Sequence, residues 1–263
     1  LRNGARFVSY SPVQMNGSKN NPIEFFSSDK KGGGVVILPG GGEVVFRNVN
    51  FLNLTAGNTE NWILTGAVTV YEGDVQISNC SFKNNQCEDA LNLIRCQFKM
   101  DSSLIANTQS DGFDADFCTG SITSSKFVNT GNDCVDFSGS DIVIEFCDIK
   151  GSGDKGISGG EGSKLRVKDC SIQNASIAIA SKDFSHVEVQ NTSITNCSYA
   201  FAAYKKKAEF GPSKLVVKSA TLTDVKSECL IELDSEIIFN GKNYVGKESF
   251  DIDSMYQVFN KGL

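Results

Sequence analysis

Apolar residues return in this chain at a fixed interval of 22. Leu91, Phe113, Val135, Ile157, Ile179 and Phe201 stand in one column without slippage. Two positions further on stand Leu93, Ala115, Phe137, Gly159, Ser181 and Ala203, mostly apolar or small. Alternation with a period of two predicts a strand. A second strand pattern recurs at residues 44–46, 75–77, 142–144, 165–167 and 187–189. A third recurs at 80–82, 96–98, 125–127, 147–149, 170–172 and 192–194. Each unit therefore carries three short strands, joined by corners of Gly, Asn, Asp and Ser. No long segment keeps a 3.6-residue apolar period. Units this short cannot bury their own apolar face, so they must stack.

The arrangement these patterns predict is all-β: a single-stranded right-handed parallel β-helix, with coils about 4.8 Å apart. The length suits one domain of about eight or nine coils. Four prolines in 263 residues agree, because proline removes ladder hydrogen bonds. Residues 1–34 lack the repeat and are expected to form a cap or arm. Residues 35–240 form the solenoid, with 229–231 and 236–239 as final strands. Residues 241–263 would be a capping segment over an otherwise open edge.

Composition narrows the function. The 25 basic against 31 acidic residues, net charge -6, argue against a nucleic-acid partner. A single histidine, His186, leaves little room for a multi-histidine metal site or a Ser-His-Asp triad, and beside a strand it reads as a turn or surface residue. No apolar run of about 18 residues predicts a membrane span. The chain opens on Leu1 with no signal-peptide pattern, as a mature product or excised fragment would. Cys80, Cys96, Cys147 and Cys170 share one inward place in the third strand, and nine cysteines without CxxC pairs read as reduced core residues. Inward cysteines on adjacent coils would also come near bonding distance. Six N-x-S/T sequons, at Asn16, Asn53, Asn79, Asn174, Asn191 and Asn196, are what chance supplies in so Asn-rich a chain. The glycine runs 32–34 and 40–42 lack the context of a phosphate loop.

The polar columns carry the candidate chemistry. Two positions before the apolar column stand Asp89, Asp111, Asp133 and Lys155, and one position after it Asn92, Asp114, Asp136 and Ser158. Immediately before it stand Ala90, Gly112, Cys134, Gly156, Ala178 and Ala200, all small. A small-residue floor walled by aligned charge reads as a groove for an extended ligand. Two carboxylates about 5 Å apart repel by about 3 kcal/mol at a dielectric near 20, so the stack needs a cation, shared protons, a lysine or water. Calcium suits a cluster of hard oxygens, and Asp89, Asp111, Asp114, Asp133 and Asp136 would be its ligands. Asp154, Glu161, Lys182, Asp183, Tyr204 and Lys205 would touch the ligand. Trp62, Tyr71 and Tyr204 are candidates for stacking on sugar or for core packing. The bland alternative is that these Asp and Asn residues form ladders at coil corners, bonding to backbone.

Residues 110–114 (Ser-Asp-Gly-Phe-Asp), 132–134 (Asn-Asp-Cys) and 154–158 (Asp-Lys-Gly-Ile-Ser) resemble the motif series of polygalacturonase-type glycoside hydrolases, NTDG, DDC and GHG on successive coils. The resemblance implies that Asp111 and Asp133 help activate a water. Asn132 replaces the family's acid and Lys155 its histidine. The same residues resemble calcium-dependent pectate-type lyases, which implies Asp111, Asp133 and Asp136 around calcium and Lys155 or Lys182 as base. A broader resemblance, carried by segments 21–23, 88–92, 153–158, 180–183 and 203–206, is to uncharacterised β-helix modules of bacterial surface or secreted proteins. It implies a module of a larger multidomain surface protein and no particular activity. The functional expectation is an extracellular module that binds, or also cleaves, a uronate-type polysaccharide, with Asp111, Asp133 and Lys155 as catalytic residues, calcium as the cation and no organic cofactor. The alternative is a non-catalytic structural module.

Overall fold

A computed structural model describes residues 1–56 and 63–249. Its strands build three long sheets, A, B and C, of ten, eleven and nine strands. Every pairing is parallel except the last, where Lys242–Val245 runs antiparallel to Glu236–Phe239 and closes sheet B. Successive strands of the chain pass from sheet A to B to C, and each pairs with the strand one coil earlier and one coil later. Residues 1–34 supply Phe7–Ser9, Gln14–Asn16 and Ile23–Phe26, the terminal strand of each sheet, so the segment expected as a cap carries a strand for all three. Among the described residues no helix is long and apolar enough to cross a membrane.

The 22-residue column is the register of sheet A. Leu91 pairs with Phe113, Phe113 with Val135, Val135 with Ile157, Ile157 with Ile179 and Ile179 with Phe201. The next step is 28 residues, from Phe201 to Cys229, because the connection 205–213 is six residues longer than its counterpart 183–185 one coil earlier. All these column residues except Cys229 lie in one buried core that runs the length of the solenoid. Like residues stack on like in it: Phe51 lies over Phe82 with centroids 4.9 Å apart, and Phe25 over Phe51 at 5.7 Å.

Corners are made by residues in the left-handed region. Asn48, Asn53, Asn79, Asn84, Asn107, Asn129, Asn174, Asn191 and Asn196 all have φ between 49° and 58°. Asparagine is among the few side chains that tolerate this conformation. Five of the six sequon asparagines belong to this set, so corner geometry explains the sequons.

The cysteines are buried, apart from half-buried Cys229, and all are free. They do not form one stack. Cys80, Cys147 and Cys170 lead into sheet C, whereas Cys96, assigned to the same place from sequence, leads into Gln97–Asp101 of sheet B. There it belongs to a ladder of small polar side chains. The Cys96 amide donates to Cys118 Sγ (3.3 Å), the Cys118 amide to Ser140 Oγ (2.9 Å), Ser140 to Ser163 (3.0 Å) and Ser163 to Ser185 (3.1 Å). Cysteine and serine interchange in this column because each presents one short acceptor to the coil before it.

Candidate functional site

The small column expected to floor the groove faces the core instead. Ala90, Cys134, Ala178 and Ala200 belong to the buried core, and a Cβ on Gly156 would meet Ile172 at 2.8 Å. The chain bends there, so two polar columns stand on the side of sheet A away from the core, where Thr69, Asp89, Asn92, Asp133, Lys155 and Ser158 are nevertheless buried. One is Asp89, Asp111, Asp133 and Lys155, followed by Ile177 and Tyr199. The other is Thr69, Asn92, Asp114, Asp136, Ser158, Ala180 and Ala202. The face thus changes along the solenoid from acidic to apolar, ending in a cluster of Ile177, Ala180, Ala202 and Tyr204 with Tyr199 and Leu230.

Three of the expected catalytic residues meet. Lys155, 2% exposed, donates from Nζ to Asp133 Oδ1 (3.3 Å) and to Asp154 Oδ2. Its amide donates to Asp133 Oδ1 (2.9 Å). Asp111 Oδ1 accepts from Asn132 Nδ2 (2.7 Å) and from the Asp133 amide (2.9 Å). Asn132, standing where the resembled family has an acid, is therefore a donor that fixes Asp111. In the second column, Lys182 Nζ reaches across two coils to Asp136 Oδ1 at 3.2 Å, and Asn92 Nδ2 reaches Asp114 Oδ2 on the next coil at 3.1 Å.

The other expected ligand contacts are dispersed. Asp183, 1% exposed, accepts from the amides of Lys206 (2.6 Å) and Lys207 (2.9 Å) and holds the longer connection. Glu161 pairs with Lys207. Tyr204 is fully buried in the apolar cluster, and exposed Lys205 donates its amide to Glu232. Trp62 lies outside the described residues, Tyr71 is half-buried at the end of Gly66–Tyr71, and His186 lies 3.5 Å from Glu188 on sheet B.

Burial sets the acid–base state of the carboxylates. Burial, then the charge of Asp133, pushes Asp111 up to about 8. Burial raises Asp89 to about 7 and Asp133 to about 6, the latter against the pull of Lys155. Asp114 is raised well above the ordinary range, by burial and then by Asp89. Burial also pushes Asp136 upward, but Lys182 and Lys155 outweigh it and leave that carboxyl below its usual value. Thr69 Oγ1, Asp89 Oδ2 and Asp154 Oδ1 are buried without a hydrogen-bond partner, whereas the buried Ser158 hydroxyl faces Asp136 and helps to hold that carboxyl down. Thr69 and Ser158 extend the face beyond the residues singled out by sequence; the signal for Thr69 was hidden because its coil is 23 residues long.

These features bear on calcium. Among the described residues, no group of three or more His, Cys, Asp or Glu side chains is arranged to hold a metal ion. Asp89, Asp111, Asp114, Asp133 and Asp136 share this face with the ammonium groups of Lys155 and Lys182, which pair with Asp133 and Asp136.

Comparison with known proteins agrees with the fold. Residues 89–243 match the family described as right handed beta helix region, and the chain belongs to that family. No curated protein matches the chain. Among solved structures it is similar to the enzymatically active domain of tailspike protein 2 of bacteriophage CBA120, at 10% identity and TM-score 0.51, covering 89% of this chain and 43% of that one. It is also similar to an alginate lyase from Paenibacillus sp. (11% identity, TM-score 0.39, 86% and 90% covered). A third is the catalytic domain of a GH87 alpha-1,3-glucanase in complex with nigerose (13% identity, TM-score 0.40, 86% and 60% covered). The chain spans about two fifths of the tailspike chains it matches. At these identities the likeness is one of fold.

Proposed function

We propose that the outward face of sheet A binds a polysaccharide and hydrolyses it. The observation that supports this most is the split between Asp114 and Asp136. They face the same side on paired strands, with the Asp114 carboxyl pushed well up by burial and Asp136 held below its usual value, against burial, by Lys182 and Lys155. A proton donor beside an ionised carboxylate is what glycosidic hydrolysis requires. Asp114 gives its proton to the leaving oxygen, and Asp136 takes one from water or attacks the sugar. Asn92 orients Asp114, and Lys182 keeps Asp136 charged. A neutral glycan fits best, because carboxyls outnumber the ammonium groups on this face. An extracellular or cell-surface setting follows from such a substrate.

The uronate reading is favoured by Lys155 and Lys182 on the same face. In that case either lysine abstracts the C5 proton and the product is unsaturated. One experiment separates the two. The protein is incubated with α-1,3-glucan, cellulose oligomers, alginate and polygalacturonate, and both reducing ends and absorbance of unsaturated uronate are followed. New reducing ends on a neutral glycan, lost by a factor of about 10²–10⁴ in Asp114→Asn, support the proposal. Unsaturated products from a uronate polymer replace it with the lyase reading. No product from any of the four overturns the hydrolytic proposal and favours a non-catalytic module.

A further inference from the structure

We propose that the corner between sheets A and B at Arg95 and Phe117 is a second sugar site, a platform for one neutral pyranose unit. The proposal rests on the polysaccharide reading above. Phe117 is 58% exposed with φ 54°, a backbone state that bulky residues seldom adopt. Its ring rests on Gly139: a Cβ there would lie 2.8 Å from Phe117 Cδ1. The Arg95 guanidinium stands 5.9 Å from the ring centroid. Beside Arg95 opens a cavity of 470 Å³, lined by glycines 40–42, Glu72, Gly73, Asp74 and Gln97. Phe146 and Phe184 share this exposure and backbone state, but Phe184 packs on Phe210 and Gly211. Among the described residues, Phe117 is the one of the three with both a cation over its ring and this cavity nearby.

The parts match one ligand chemistry. A pyranose has an apolar C–H face and a polar edge. The exposed part of the Phe117 ring supplies apolar area for the face. Glu72 and Asp74 accept from hydroxyl groups, while Arg95 and Gln97 donate to them. Two carboxylates against one guanidinium disfavour a uronate. Gly40 and Gly41 leave open space on that side of the cavity, while Pro12 and Pro39 lie against Gly42 and Gly73. Phe117 follows directly on Asp111–Asp116, three residues beyond Asp114 and about 10 Å along an extended strand. A chain held over Asp114 can therefore continue onto the corner.

The test is calorimetric titration of the intact protein with α-1,3-linked glucose hexasaccharide, cellohexaose and hexagalacturonate. The expected result is neutral-sugar binding weakened roughly fivefold to tenfold in Phe117→Ala, and likewise in Gly139→Ala, which displaces the ring. Phe146→Ala, at an equally exposed phenylalanine outside this corner, should retain that binding. Unchanged affinity in both corner variants, with the wild type binding, overturns the platform while leaving the acidic face intact. Tighter binding of hexagalacturonate that depends on Arg95 overturns the neutral assignment. No binding by the wild type removes the function itself.

Discussion

Replacing Asp89 by asparagine should stabilise the protein, and more so at alkaline pH. Asp89 is 2% exposed and its Oδ2 has no partner. Burial raises its pKa from the usual 3.8 to about 7. A carboxyl whose folded pKa is raised binds protons better in the fold than in the unfolded chain. Stability therefore falls as pH rises from about 4 to about 7. At pH 8 both states are ionised. The cost of keeping the charge in the fold is then about 4 kcal/mol, at 1.36 kcal/mol per pH unit. At pH 5 only the unfolded chain is ionised, and the cost is about 2 kcal/mol. Asparagine has nearly the same shape and no charge, so Asp89→Asn should recover the larger amount at pH 8. Urea denaturation of wild type and variant at the two pH values reads the difference as a shift in midpoint. Equal shifts at pH 5 and pH 8, or a loss of stability at both, would refute the argument that burial holds Asp89 neutral.

Further outcomes follow from the same face and from the corners. Lys155→Met leaves Asp133 and Asp154 without their shared cation and should cost about 3–5 kcal/mol at pH 8, measured by urea midpoint, with partial recovery near pH 5 as Asp133 takes up a proton. Lys182→Met removes the cation that keeps Asp136 ionised, so the acidic limb of any pH–rate profile should move upward, whereas Lys182→Arg should leave it in place. Cys118→Ser should be nearly neutral and Cys118→Val destabilising by about 1–3 kcal/mol, because serine keeps the acceptor that the Cys96 amide needs.

The coil repeat was legible because one physical constraint, burial of a column in parallel register, writes itself at a constant interval. It held from Leu91 to Phe201. It failed where the interval changed, at Thr69 in a 23-residue coil and after Phe201, where the connection 205–213 is longer. The carboxylate columns were also legible, since Asp111 and Asp133 do share a face with Lys155. What spacing cannot show is direction. Ala90 and Ala178 look like a floor beside charged residues, yet a bend turns them inward. Sequence likewise left Cys96 in the wrong corner, because its neighbours look like those of Cys80. The partners of Lys155 and Lys182 depend on side-chain reach across coils, as from Lys182 to Asp136, which no linear pattern encodes.

The corner ladder that begins at Cys96 has a direction. Each amide is satisfied by the thiol or hydroxyl of the following coil, never of the preceding one. Removing coils from the C-terminal side therefore orphans an amide on the last coil left, while removing them from the N-terminal side leaves only a spare acceptor. The solenoid behaves as a chain of nearest neighbours with unequal ends. Fraying should start more readily at the C-terminal side, and a shortened protein should survive loss of its first coils better than loss of its last.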